Sequence, residues 1–95
     1  MKDIYTVRIS KQAKRNLKKI PWYLVLKLES WVNAVGLHGL HEVRKVSGYR
    51  DELLKGDRAG QRSIRLNKAY RAIYVVDSDE SINFVEIIEV TKHEY

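Results

Sequence analysis

Cationic side chains recur at Lys55, Arg58, Arg62, Arg65, Lys68 and Arg71 through the stretch KGDRAGQRSIRLNKAYRAIY, residues 55–74. Arginine is rarely fully buried without a partner, and its planar, permanently charged fork matches the oxygens of a phosphate. Glu52 stands just ahead of this stretch, and the sequence ends on His93, Glu94 and Tyr95. These are groups able to take or give a proton. Cations around a developing negative charge, with proton donors and acceptors beside them, are what chemistry at a phosphate requires. Each residue also has a plainer reading. Arg71 could pair with Glu86 or Glu89, Glu52 could balance Arg50, and Lys55, Arg58 and Arg62 could be solvated turn charges. His93 and Tyr95 could be frayed terminal residues.

The elements that would position these groups follow from periodicity. DIYTVRIS alternates, with Tyr5, Val7 and Ile9 on one face, and predicts a strand. Ser10 is placed to cap a helix over KQAKRNLKKI with Ala13, Leu17 and Ile20 on one stripe. Pro21 stops that helix and suits the start of the next. The second runs from Trp22 to about Val35 on the stripe Leu24, Leu28, Trp31, Val32 and Val35, and Gly36 and Gly39 are expected to end it. LHEVRKVSGY has room for one short helical turn. The period then changes. ELLK, QRSIRLN, YRAIYVV and SINFVEIIEVT read as strands, with GDRAG and DSDE as turns. YRAIYVV carries large residues on both faces and is expected at the centre of the sheet, with Arg71 opposite Tyr70 and Tyr74. The expectation is an α+β domain over residues 1–95: a strand, a two-helix hairpin, then an antiparallel meander.

The chain has 95 residues, a formal net charge of +6 and no cysteine, so disulfides and thiolate metal sites are excluded. His38, His41 and His93 show no metal-ligand spacing, and His38 and His41 read as surface histidines. No cofactor is expected. The charge is uneven: residues 1–20 sum to +6, 21–40 to zero, 41–71 to +5 and 72–95 to −5. Two basic blocks point to an anionic partner. No signal peptide or transmembrane run is evident, so a cytoplasmic location with no membrane partner is expected.

DELLKGDRAGQRSIRLNKAYRAIY, followed by a further strand and the terminal KHEY, resembles the RelE/StbE superfamily of toxin–antitoxin toxins, in particular its HigB-like and YoeB-like branches. The order of predicted elements is similar as well, and the resemblance covers essentially the whole chain. It implies an endoribonuclease that enters the ribosomal A site and cuts mRNA without a metal. The 2′-hydroxyl attacks the adjacent phosphate and leaves a cyclic or 3′-phosphate and a 5′-hydroxyl. It also implies a cognate antitoxin. By the same resemblance Glu52 corresponds to a general base, Lys55 to a phosphate contact, and Arg71 in YRAIY to the arginine that neutralises the transition state. Arg65 corresponds to a second cleft arginine. Arg58 and Arg62 join the phosphate-binding set, and His93 and Tyr95 resemble the acid and the base-stacking group of the YoeB-like terminus. Here Glu94 separates the two, which leaves His93 and Glu94 as alternatives for the acid. Tyr70 is a second stacking candidate.

Two other readings compete. A ParE-like member of the superfamily would inhibit DNA gyrase without nuclease activity, and its cleft would lack the acid–base set. A noncatalytic basic module would bind RNA and leave it intact. Trp22 and Tyr23 read as core or staple residues. The cations of the first helix, Lys11, Lys14, Arg15, Lys18 and Lys19, suit rRNA phosphates in a ribosome-binding protein.

Overall fold

The computed structural model describes residues 3–92. Strand β1 (Thr6–Ile9) leads into helix α1 (Lys11–Leu17) and helix α2 (Trp22–His38). A one-turn helix α3 (Leu40–Val43) follows, then strands β2 (Glu52–Leu53), β3 (Arg62–Arg65), β4 (Tyr70–Asp79) and β5 (Ile82–Lys92). The sheet order is β1-β5-β4-β3-β2. β2 to β5 form the antiparallel meander, β4 is central, and β1 lies parallel to β5 at the edge. The α+β expectation holds, antiparallel meander included, and the sheet is mixed because β1 joins it parallel to β5.

The local signals act as their chemistry requires. Ser10 Oγ accepts the Ala13 N–H at 3.0 Å and starts α1. The same hydroxyl donates to the Ile88 carbonyl at 3.1 Å, which ties the helix start to β5. The α2 stripe buries Leu24, Leu28, Trp31 and Val35 against Ile64, Ala72, Tyr74, Val85, Ile87 and Val90 of the sheet in one cluster. Gly36 does not end α2, which runs on to His38. The break comes at Gly39, whose φ of 89° favours glycine. Asp3 closes that corner: its Oδ1 accepts the Ile4 and His41 N–H groups, each at 2.8 Å.

One expected turn is strand. Asp77, Ser78 and Asp79 extend β4, paired with Phe84, Asn83 and Ile82. The reversal falls instead on Glu80 and Ser81, a two-residue connection in which Glu80 takes φ 56°. Polar residues persist as strand there because each is paired across the ladder with β5. Arg8 reaches Asp79 at 3.5 Å and lies 4.0 Å from the Phe84 ring centroid.

β5 carries the irregularity that matters most. Ile73 pairs with Glu89 while Tyr74 pairs with Ile87, so Ile88 is an extra residue, a β-bulge. Val85 and Ile87 face the core before it and Val90 after it. The one-residue slip turns Glu89 and Thr91 to the opposite face of the sheet.

Candidate active site

That opposite face is hollow. Ser63 from β3, Arg71 and Ile73 from β4 and Thr91 from β5 form the floor of a concavity of about 420 Å³. Glu52, Leu54, Arg58 and Lys92 complete its lining. The register explains the convergence: Glu52 lies opposite Ser63, Ser63 opposite Ile73, and Arg71 opposite Thr91. Residues directly opposite in a ladder share a face.

Arg71 is the centre of this arrangement. Its Nη1 donates to Ser63 Oγ at 3.1 Å and lies 3.4 Å from Glu52 Oε2. The Arg71 side chain is 20% exposed and that of Glu52 is 52% exposed. A half-exposed carboxylate at that distance is a weak partner, one that an incoming phosphate can displace. Among the described residues both hydrogen bonds of Arg71 use Nη1, which leaves Nε and Nη2 open to a ligand. Arg58 is more fully engaged. Its Nη2 donates to Glu89 Oε1 at 2.7 Å and its Nη1 to Gln61 Oε1 at 2.9 Å.

The other face of the same strands holds a closed polar network. Asp51, with a side chain only 2% exposed, accepts from Arg62 Nε at 2.6 Å. The Tyr74 hydroxyl donates to its second oxygen, and Arg44 Nε donates to that hydroxyl at 3.3 Å. Burial and then the Asp51 carboxylate push the Tyr74 phenol up to about 12. Burial works against the charge on Arg62, but Asp51 outweighs it and raises the Arg62 pKa. Arg62 is thus enclosed in an ion pair on the helix side, away from the concavity. Arg62 lies opposite Tyr74 and two residues from Ile64, so it shares their side of the sheet, and its expected place among the phosphate-binding residues is not borne out. The network anchors Asp51, the residue before Glu52, and so fixes where β2 enters.

The predicted site residues divide accordingly. Glu52, Arg58 and Arg71 come together. Lys55 is exposed beside Leu54, just before the one-turn helix Gly56–Arg58, and does not line the concavity. Arg65 lies opposite Arg71 in register, yet its Nε donates to the Asn67 carbonyl at 3.3 Å and its side chain lines a different hollow. Tyr70 packs against the core, which removes it as a stacking group in this concavity. His93, Glu94 and Tyr95 lie outside the described residues. The sequence reading missed Ser63, Thr91 and Lys92. The signal was available in NFVEIIEVT, where the apolar spacing of two at Val85 and Ile87 becomes three at Val90.

No protein-family model matches this sequence, and no curated protein matches it. Solved structures do. The chain has the RelE-like fold, an α+β architecture shared with bacterial toxins of that name and with YoeB and YafQ. The YoeB/ParE toxin from Agrobacterium tumefaciens is 18% identical, with a TM-score of 0.70 over 94% of this chain and 99% of that one. YafQ from E. coli is 15% identical, with a TM-score of 0.71 over 92% and 91%. A chain of the toxin–antitoxin complex RelBE2 from Mycobacterium tuberculosis is 28% identical, with a TM-score of 0.57 over 95% and 99%.

Proposed function

We propose that this protein is the toxin of a toxin–antitoxin pair and a metal-independent endoribonuclease that cuts mRNA at the ribosome, with a cytoplasmic site of action. The observation that carries the reading is Arg71. It is held by Ser63 on the floor of a concavity, within 3.4 Å of the Glu52 carboxylate and, among the described residues, with Nε and Nη2 unengaged. RNA threaded through the concavity would place a phosphate against that guanidinium. The 2′-oxygen bonds to phosphorus as its proton passes to Glu52, displaced from Arg71 by the phosphate. The bond from phosphorus to the 5′-oxygen breaks, and that oxygen takes a proton from the terminal group. The products are a 2′,3′-cyclic phosphate and a 5′-hydroxyl. Arg71 and Lys92 balance the charge that builds on the phosphorane. A preorganised donor of this kind contributes on the order of 10²–10³-fold, and each proton-transfer group about 10²–10⁴-fold. His93, Glu94 and Tyr95 remain the candidates for the acid and for base stacking, since they follow Lys92 directly in the sequence.

An antitoxin partner is supported by similar structures whose chains are complexes, E. coli DinJ-YafQ and the heterotetrameric YoeB-YefM of Staphylococcus aureus. A ParE-like gyrase inhibitor shares the fold. The convergence of Glu52, Arg71 and Ser63 favours the nuclease, because fold does not choose function and a built site does. The test maps RNA 5′ ends on a reporter message in a translating extract, with the intact protein and with Arg71→Ala. New 5′-hydroxyl ends inside codons, dependent on translation and on Arg71, are expected. Folded protein that yields no new ends would transfer the reading to gyrase inhibition or passive RNA binding.

A further inference from the structure

Ser63 is 1% exposed and, tyrosine aside, is the one polar residue buried among the described residues. Its neighbour Ile64 points into the core, while Ser63 lines the concavity on the opposite face of β3. Burying a hydroxyl costs free energy that only a hydrogen bond offsets, and serine is not among the residues that strands favour. Alanine would fill the same place without that cost. Among the described residues, the single hydrogen-bond partner of Ser63 Oγ is Arg71 Nη1, at 3.1 Å. The hydroxyl is therefore explained by what it does to the arginine.

Glu52 lies directly opposite Ser63 across the β2–β3 ladder, and Arg71 reaches both from β4. A guanidinium and a carboxylate free to approach each other favour a two-bond fork, with N–O distances of about 2.7–2.9 Å. Arg71 and Glu52 instead make one contact, at 3.4 Å, through the same nitrogen that the serine engages. The two hydrogens of Nη1 thus serve two acceptors, and Nε and Nη2 make no hydrogen bond to the carboxylate. We infer that Ser63 is a positioning residue: its hydroxyl keeps Arg71 from closing onto Glu52. The remaining edge of the guanidinium then stays open to a phosphate, and the carboxylate stays open to the 2′-hydroxyl. Without the serine the pair closes into the two-bond fork, which masks both groups at once. The inference deepens the nuclease reading and rests on it for the identity of the anion. The competing account is a hydroxyl that serves packing alone.

The test follows the Arg71 Nε–H resonance by NMR in isotope-labelled protein, assigned by its loss in Arg71→Lys. Inorganic phosphate is titrated at constant ionic strength into the intact protein, Ser63→Ala, Glu52→Gln and the double variant. Ser63→Ala should keep its urea midpoint within about 0.5 M. It should bind phosphate about three- to tenfold more weakly, equivalent to one hydrogen bond. Glu52→Gln removes the carboxylate onto which Arg71 would close, so it should restore binding in the Ser63→Ala background. Its gain there should exceed its gain in the intact protein by about threefold or more, because both side chains act on one arginine. A hydroxyl that only packs would leave the two gains equal. Unchanged phosphate binding in Ser63→Ala, equal gains in the two backgrounds, a Ser63→Ala protein that does not fold, or no phosphate response at Arg71 in the intact protein would each overturn the inference. Cleavage in the translating extract is scored separately, and Ser63→Ala should lower its rate by a factor similar to the loss in phosphate binding. Cleavage that needs Arg71 but is unaffected by Ser63→Ala sinks this inference alone. The expected phosphate cycle, with no cleavage by the intact protein, sinks the nuclease reading alone.

Discussion

Arg62 and Arg71 stand on neighbouring strands, and each meets a carboxylate, yet the two pairs have opposite characters. Arg62 reaches a 2% exposed Asp51 at 2.6 Å. Arg71 reaches a 52% exposed Glu52 at 3.4 Å. The first carboxylate is also bonded to Tyr74 and fully enclosed. The second is open on one side and shares its arginine with a serine. Asp51 and Glu52 are adjacent in sequence, so strand alternation alone sends one to each face. The buried pair holds the β2 segment down. The exposed pair is then free to be broken by a ligand. A charge pair is informative about function mainly through how much it would cost to separate.

The comparison can be broken at the buried end first. Asp51→Ala leaves Arg62 without its partner and Tyr74 without its acceptor. Stability in urea should fall by about 3 kcal/mol, the lower end of the range for breaking a buried pair, because Arg62 is itself 25% exposed. A loss below about 0.5 kcal/mol would make the network incidental. The next effect is pH-dependent. The Tyr74 phenol rises from 10.0 to about 12 in the folded protein, so the folded state holds its proton more tightly. That contribution is complete below about pH 10 and disappears as the pH climbs to about 12. Denaturation midpoints of the intact protein should drop more steeply across this window than those of Tyr74→Phe. Parallel curves would show that the phenol does not contribute. The smallest effect is expected at the cleft rim. Arg58 and Glu89 are both partly exposed, so Glu89→Ala should change stability by less than about 1 kcal/mol, as read from the same urea curves.

Much of the fold was legible in the residues. The stripe of α2, the cap at Ser10 and the central position of YRAIYVV all follow from periodicity and side-chain chemistry, and all are present. The parallel pairing of β1 was not legible, because alternation reports a face and says nothing of direction. DSDE misled because turn-forming residue types can be held in a strand by their partners. In the candidate site, the type and order of residues singled out Glu52, Arg58 and Arg71. They did not expose the division of labour among the arginines. Arg62 shares a face with Ile64, and applying alternation to the charged residues as strictly as to the apolar ones would have separated it from Arg71. The Ile88 bulge hid Thr91 from the same reasoning, since one extra residue reverses every later assignment.

The central claim is that Arg71 serves chemistry and Arg62 serves the fold. Lysine keeps the charge at either position and removes the planar fork. The decisive measurement compares Arg71→Lys with Arg62→Lys, scoring reporter-mRNA cleavage per folded molecule beside the thermal midpoint. The account predicts that Arg71→Lys loses about 10²-fold in cleavage with little change in midpoint, while Arg62→Lys keeps cleavage within about threefold and melts several degrees lower. The reverse pattern, with cleavage lost at Arg62 and kept at Arg71, would contradict it.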